Sequence, residues 1–363
     1  MGTKLPFMGI RGIRKSTALC AAVSAVAMMA ASAIPAQAAT SPWRQVYNKH
    51  YGVAANDSVY GAVVATSANN AWALGGSDGS YGDRTVQLAE AVHWNGKSWS
   101  SVAMPSGAKG WVDAASAPAA NDIWAVTNEG GYILHYNGKS WAVEHHLSGA
   151  SRLLTSVVAF SATNVWVFGT SGEGPGYGTW HYNGKTWSAQ TGTAGDVDSA
   201  SAVSATNLWA IANSSTAPAT SIARYNGKSW SRVSNSALSG LSFNRIQAIS
   251  ASSVWITASA PDNGFKSYLL HYNGHTFSKT ALPWSVGVSS VVSDGANGVW
   301  LTAGSMSGQQ YMVHYTSKGA WSRTAVGADF DSLAHIPGGT AEWAGGFKPT
   351  SSGNGVIWAY GKV

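Results

Sequence analysis

Apolar and polar residues along this chain fall into short runs that return at a fixed interval. Ser156-Val157-Val158-Ala159-Phe160 reads as a β-rich strand, Ser161-Ala162-Thr163-Asn164 as a turn, and Val165-Trp166-Val167-Phe168 as a second strand. A variable loop rich in Gly, Ser and Pro follows, then a strand ending in His-Tyr, an Asn-Gly turn and a last strand through Trp. Four short strands are therefore predicted in each interval. Asn-Gly between aromatic runs predicts a two-residue hairpin turn with both residues at positive φ. That register pairs Tyr136 with Lys139 and Leu134 with Trp141, and sets His135 and Ser140 on the opposite face.

The second strand recurs as Ala71-Trp72-Ala73, Ile123-Trp124-Ala125, Val165-Trp166-Val167, Leu208-Trp209-Ala210, Val254-Trp255-Ile256, Val299-Trp300-Leu301 and Glu342-Trp343-Ala344. The hairpin starts at His93, His135, His181, Arg224, His271 and His314, at spacings of 42, 46, 43, 47 and 43, and a degenerate copy at Ala359 adds 45. A period in the forties marks a repeat architecture. A lone four-stranded sheet exposes both faces, whereas radial stacking buries them against neighbours. The expected fold is all-β: a seven-bladed β-propeller of four-stranded antiparallel blades.

The last copy stops at Ala359-Tyr360-Gly361-Lys362-Val363, where an outer strand is due. Ser41-Pro42-Trp43-Arg44-Gln45-Val46 matches Lys228-Ser229-Trp230-Ser231-Arg232-Val233. The early segment is therefore expected to complete the seventh blade and close the ring. The repeats run approximately over 48–100, 101–142, 143–188, 189–231, 232–278, 279–322 and 323–363, the last joined by 41–47. Gly-x-Ser/Thr-Trp after each turn, with inner strands of the Trp-Ala-Val-Gly kind, resembles the Asp-box (BNR) repeats and the related photosystem-II-assembly-factor-like propellers. The resemblance spans residues 39–363 and implies the fold. Asparagine replaces the box aspartate at Asn95, Asn137, Asn183, Asn226 and Asn273, so no catalytic residue is carried across.

Charge refines the picture only after the first residues are set aside. Lys4, Arg11, Arg14 and Lys15 precede an apolar stretch from Thr17 to Ile34, and Ala36-Gln37-Ala38 is a small-x-small cleavage site. Residues 1–38 are expected to be a Sec signal peptide cleaved near Ala38, which makes the protein secreted. The whole chain carries +6, but the remainder has eighteen Lys and Arg against sixteen Asp and Glu. So small an excess argues against nucleic acid and against a membrane partner after cleavage. The single Cys20 lies in the signal segment, so no disulfide contributes and burial must stabilise the fold.

Candidate chemistry lies where the repeat is broken. The repeated histidines fall on separate blades, too far apart to share an ion, and are expected to be structural. Trp111 and Trp284 stand outside the repeat positions, in connectors between blades, while Tyr81, Tyr177, Phe265 and Tyr311 fall in loops between second and third strands. These two loop sets share one face of a propeller, and rigid aromatics beside small polar residues suit glycan or protein surfaces. Eleven residues before each inner tryptophan stand Gly61, Asp113, Thr155, Asp198, Asn244 and Ser289, with Asp331 one residue further back in the seventh blade. Asp113, Asp198, Asn244 and Asp331 are oxygen donors of the kind calcium takes, and the central channel is the one place a metal is considered; no other cofactor is expected.

No His-Glu-x-x-His, Gly-x-Ser-x-Gly or P-loop occurs. Arg84, Arg152, Arg232, Arg245 and Arg323 show no matching motif from blade to blade. The expected function is therefore that of a secreted, non-catalytic, monomeric binding protein recognising an extracellular carbohydrate or cell-envelope ligand through its loop face. An extracellular protein-interaction or assembly scaffold and a propeller-type glycoside hydrolase or lyase are the alternatives.

Overall fold

A computed structural model describes residues 43–49, 58–81, 84–149, 152–171, 176–190, 195–213, 220–349 and 353–363. The expected signal segment lies outside them. The described residues form 28 strands in seven four-stranded antiparallel sheets. Strand β1 (Trp43–Lys49) comes first. Blade 1 holds β2 (Ser58–Ser67), β3 (Asn70–Tyr81), β4 (Arg84–Trp94) and β5 (Trp99–Val102). Blade 2 holds β6 (Val112–Ala119), β7 (Asp122–Thr127), β8 (Tyr132–Tyr136) and β9 (Trp141–His146). Blade 3 runs through β10 (Arg152–Ser161), β11 (Asn164–Ser171), β12 (Thr179–Tyr182) and β13 (Trp187–Gln190). Blade 4 contains β14 (Asp196–Ser204), β15 (Asn207–Asn213), β16 (Thr220–Tyr225) and β17 (Trp230–Arg232). Blade 5 contains β18 (Ser242–Ser250), β19 (Ser253–Ala260), β20 (Asn263–Tyr272) and β21 (Phe277–Ala281). Blade 6 is β22 (Gly287–Ser293), β23 (Val299–Gly304), β24 (Gln310–Tyr315) and β25 (Trp321–Val326), and blade 7 pairs β26 (Asp329–His335), β27 (Glu342–Lys348) and β28 (Asn354–Tyr360) with β1.

The first strand of every blade lies against the first strands of both neighbours, β26 against β2 included. Seven strands thus ring the centre, and the fourth strands form the outer wall. Serines bridge the ring: the Ala159, Ala200, Ala248 and Val63 amides donate to Ser116, Ser156, Ser201 and Ser332 Oγ at 3.0, 3.1, 3.0 and 3.0 Å. Each inner strand would otherwise leave such amides without a sheet partner.

One aromatic arrangement repeats at every seam between blades. The tryptophan of a second strand packs on the hairpin aromatics of the next blade: Trp72 on Tyr136 at 4.6 Å, Trp166 on Tyr225 at 5.1 Å, Trp209 on Tyr272 at 5.2 Å. The last seam uses the same parts, with Trp343 5.3 Å from Trp94 and 5.0 Å from Trp99. Rings of this size bury the largest apolar areas available to a residue, which is how a chain without disulfides holds its blades together.

The hairpin register differs from the expected one. Tyr136 lies opposite Trp141 and Leu134 opposite Val143, so four residues, Asn137 to Ser140, make the turn. Asn137 Oδ1 accepts from the Lys139 and Ser140 amides at 3.0 and 3.1 Å, and the same pair of bonds recurs at Asn95, Asn183, Asn226 and Asn273. The asparagine therefore acts as a side-chain acceptor rather than as a positive-φ turn residue. Only the glycine adopts the left-handed conformation, at φ 88° for Gly138. A Cβ there would also press to within 2.9 Å of Asn121 in the neighbouring turn of the same blade. The turns joining first to second and third to fourth strands thus pack on each other at one end of the blades, and the remaining loops lie at the other.

Candidate functional site

The repeated histidines are architectural. His93, His135, His181, His271 and His314 lie against their blade's tryptophan at 4.4, 4.2, 4.4, 3.9 and 4.3 Å between ring centres. Each has a hydrogen-bond partner, Asn70, Asp122, Asn164, Ser253 or Asp294, at 2.8–3.1 Å. Burial pushes the His93, His181 and His271 imidazoles below their ordinary value. In blade 4, Arg224 takes the place, 4.9 Å over Trp209 and bonded to Asn207 at 3.0 Å.

The seven residues counted back from the inner tryptophans share a cause. Each falls at a β-bulge near the loop end of its inner strand, where the pairing slips between Val59 and Ala62, Val112 and Ala114, Leu154 and Ser156, Val197 and Ser199, Phe243 and Arg245, Val288 and Ser290, and Phe330 and Ser332. The extra residue bends the strand and increases its twist. The expected calcium donors Asp113, Asp198, Asn244 and Asp331 thus occupy equivalent bulges of blades 2, 4, 5 and 7. Among the described residues no three His, Cys, Asp or Glu side chains are placed to hold a metal ion. The three carboxylates belong to non-adjacent blades, which keeps them apart around the ring. In blade 3 the equivalent Thr155 Oγ1 donates to Val197 O at 2.6 Å, a bond between blades.

The aromatics that break the repeat separate into different settings. Tyr177 is 7% exposed, packs in the core between blades 2 and 3, and donates its hydroxyl to Gly149 O at 3.2 Å. The expected stacking platform is thus a core residue here, because its ring packs with Leu147 and Leu154. The Tyr81 side chain lies outside the described residues. Trp111 is half-buried beside Gly76 in blade 1, and its amide donates to Asn128 Oδ1 at 3.0 Å. Phe265 is half-buried, its ring 3.9 Å from where a Cβ of Gly287 would stand.

Trp284 and Tyr311, by contrast, are brought together through a residue with no assigned role in the sequence reading. The Arg323 guanidinium lies 4.7 Å over the Trp284 ring and 4.5 Å over the Tyr311 ring. Trp321 meets Trp284 edge-on at 6.5 Å. Between blades 4 and 5, a cleft of 510 Å³ is lined by polar Thr220, Ser221, Arg232, Asn235 and Ser242 and by apolar Ile222, Val233, Leu238, Leu241, Phe243 and Pro261. Its wall is the connector 233–241. Asn235 Oδ1 caps a 3₁₀ turn (Ser236–Leu238) through the Ala237 amide at 3.0 Å, and buried Leu238 and Leu241 anchor it. The Asn-Ser-Ala-Leu run was the signal in the sequence, but a cap alone does not announce a cleft.

A separate titrating pair sits at the other end of the blades, between blades 6 and 7. His335 Nδ1 and Glu342 Oε1 are 2.8 Å apart, and Glu342 is fully buried. Burial raises the Glu342 carboxyl to about 7 despite the His335 bond, while that bond raises His335 against its own desolvation. Burial also pushes Asp294 up, but bonds from His314 and from the Ala296 and Gly298 amides outweigh it and hold the carboxyl below its ordinary value. These bonds account for the three carboxylates in the turn ends of the blades, Asp122, Asp294 and Glu342, each tied to a histidine.

The structure is similar to that of YCF48 bound to a D1 peptide, with a TM-score of 0.62 at 15% identity, covering 91% of this chain and 100% of that one. It is similar to YCF48 from Cyanidioschyzon merolae, with a TM-score of 0.54 at 15% identity, covering 88% and 98%. It also resembles virginiamycin B lyase from Staphylococcus aureus, with a TM-score of 0.58 at 11% identity, covering 87% and 97%. The likeness is one of fold. No protein-family model matches the sequence, and no curated protein is similar to it.

Proposed function

We propose that this is a secreted, non-catalytic binding protein that takes a polysaccharide at the loop face of blades 4–6. The observation that carries the reading is the Trp284–Arg323–Tyr311 group of blade 6, with a cleft between blades 4 and 5 that offers hydroxyl and amide groups beside an apolar floor. Serine, threonine and asparagine side chains exchange hydrogen bonds with sugar hydroxyls, and half-buried aromatics supply rigid apolar contact at small entropic cost. Secretion rests on the basic, apolar and small-x-small order of residues 4–38; amino-terminal sequencing of protein recovered from culture medium tests it.

Affinity electrophoresis through gels containing a panel of polysaccharides tests the binding. At least one polysaccharide is expected to retard the protein, and Trp284→Ala is expected to abolish the retardation with an unchanged far-ultraviolet circular dichroism spectrum. Free migration through every gel refutes the reading. A protein partner is the second reading, favoured by the YCF48 structure, in which a propeller of the same kind holds a peptide; pull-down from culture medium separates the two.

A further inference from the structure

The register of the outer strands exposes a pattern that the linear sequence hides. In each blade one outer-strand residue pairs with the residue just before the repeated histidine position. In blades 4, 5 and 6 this residue is Arg232, Lys279 and Arg323, paired with Ala223, Leu270 and Val313. In blades 1, 2, 3 and 7 it is Ser101, Val143, Ala189 and Gln45, paired with Val92, Leu134, Trp180 and Trp358. Three consecutive blades thus carry a cation where the other four carry a neutral residue. Arg323 sits one residue further along than the others because the blade 6 turn spans five residues, Thr316 to Ala320, which concealed the match in the sequence.

These cations are held and open. Arg323 lies between Trp284 and Tyr311, Lys279 lies 5.4 Å over Tyr268 of the same blade, and Arg232 lines the cleft. All three are exposed, and none makes a side-chain hydrogen bond or ion pair among the described residues. Stacking against a ring fixes a guanidinium plane and leaves its in-plane N–H donors pointing outward, the geometry that matches a carboxylate. Carboxylates are sparse in this stretch of the sequence. Between Asp198 and Asp294 the sole carboxylate is Asp262, and between Asp294 and Asp329 there is none. The third and fourth strands of blades 4–6 therefore contain no acidic residue at all.

We infer that this stripe binds an acidic polysaccharide, a carboxylate-bearing glycan chain laid along the outer edge of blades 4, 5 and 6. The inference rests on the polysaccharide reading above and names the ligand's charge class. A linear chain fits because the outer strands form a convex wall. A flat anionic surface touches such a wall along one line, whereas a flexible chain follows three successive blades. The rings of Trp284, Tyr311 and Tyr268 each carry a cation on one face, which favours charge pairing over the free stacking that a nucleic-acid base needs. The cleft at the blade 4 end, with its serine and threonine hydroxyls beside Leu238, Leu241 and Phe243, receives the neutral part of the sugar.

Binding to polygalacturonate, dextran and oligothymidylate at low salt tests this, with the triple variant Arg232→Ala/Lys279→Ala/Arg323→Ala. The exposed turn lysines of blades 1–3 supply the control, Lys97→Ala/Lys139→Ala/Lys185→Ala, which removes equal charge elsewhere. Polygalacturonate is expected to bind, to weaken as salt rises, and to lose roughly tenfold or more in affinity in the stripe variant but not in the lysine variant. Circular dichroism confirms that both variants fold. The inference is overturned if polygalacturonate fails to bind, if dextran binds as tightly, if oligothymidylate binds more tightly, or if the lysine variant loses as much. Retention by dextran or another neutral polysaccharide of the panel without polygalacturonate leaves the polysaccharide reading standing and removes only this one; binding to no polysaccharide of the panel removes both.

Discussion

Trp43, on the first strand, stands edge-on to Trp300 of blade 6, with ring centres 5.4 Å apart and planes at 88°. Tyr360 lies 5.5 Å from Trp43 and 4.6 Å from Trp300, so a residue from each end of the described chain meets at one seam. This contact closes the ring. Trp43→Ala is expected to cost about 3–5 kcal/mol, as large aromatic truncations in a core do. Chemical denaturation measures it, and a loss no larger than that of an exposed control such as Met306→Ala would show that closure does not depend on this ring.

The hairpin asparagines make a second prediction. Asn137→Ala removes the acceptor for the Lys139 and Ser140 amides and is expected to cost about 1–2 kcal/mol. Asn137→Asp keeps an acceptor oxygen and should cost much less. Gly138→Ala should exceed both, since it combines a φ of 88° with a contact to Asn121. Thermal midpoints of the three variants give the order directly.

Stability should decline on both sides of a maximum that lies below neutrality. Glu342 has a folded value of about 7, above its ordinary 4.5, and His335 is raised above its ordinary 6.5. Groups raised on folding contribute stability that is fully present below their unfolded values and is lost as pH rises to the folded ones, for Glu342 from 4.5 to about 7 and for His335 from 6.5 upward. Asp294 is lowered on folding, so its contribution holds above the ordinary carboxylate range and disappears as pH falls through its folded value. Glu342→Gln keeps an acceptor for His335 and should flatten the decline between 4.5 and about 7 while leaving the acid limb. Denaturation midpoints collected from about pH 3 to about pH 9 decide it; an unchanged decline over that window would exclude Glu342 as its source.

Asp122 holds two partners at once. Its Oδ1 accepts from Trp124 Nε1 at 2.9 Å and meets His135 Nε2 at 2.8 Å. Asp122→Ala leaves both ring nitrogens without that oxygen and is expected to cost about 1–3 kcal/mol, with a blue or red shift of tryptophan emission. An unperturbed midpoint would place the stabilisation in the Trp124–His135 stack alone, at 4.2 Å.

Trp111 and Trp284 should now behave differently, although the sequence places both in connectors. Trp111→Ala empties a contact with Gly76 in blades 1 and 2 and should lower stability without touching ligand retention. Trp284→Ala should do the reverse, because Trp284 shares Arg323 with Tyr311 in the proposed ligand site. Equal loss of retention in the two variants would move the ligand site off blades 4–6.

Much of this molecule is written in one dimension. Seven copies of one tryptophan strand and one hairpin determine a closed ring, because a four-stranded unit with two apolar faces has no other way to bury both. The same count singled out the seven residues that the structure sets at equivalent bulges, and marked Trp43 as the partner of the last blade. The sequence could not decide the hairpin register, since the asparagine's side-chain bonds lengthen the turn and shift every opposing pair. Nor could it separate buried Tyr177 from half-buried Trp284, both loop aromatics, because burial depends on residues that approach from other blades. Only the tertiary structure aligned Arg232, Lys279 and Arg323, which stand on three separate strands and become neighbours through radial stacking. Repetition specifies the ring locally, while exposure and charge neighbourhood are set by contacts between distant parts of the chain.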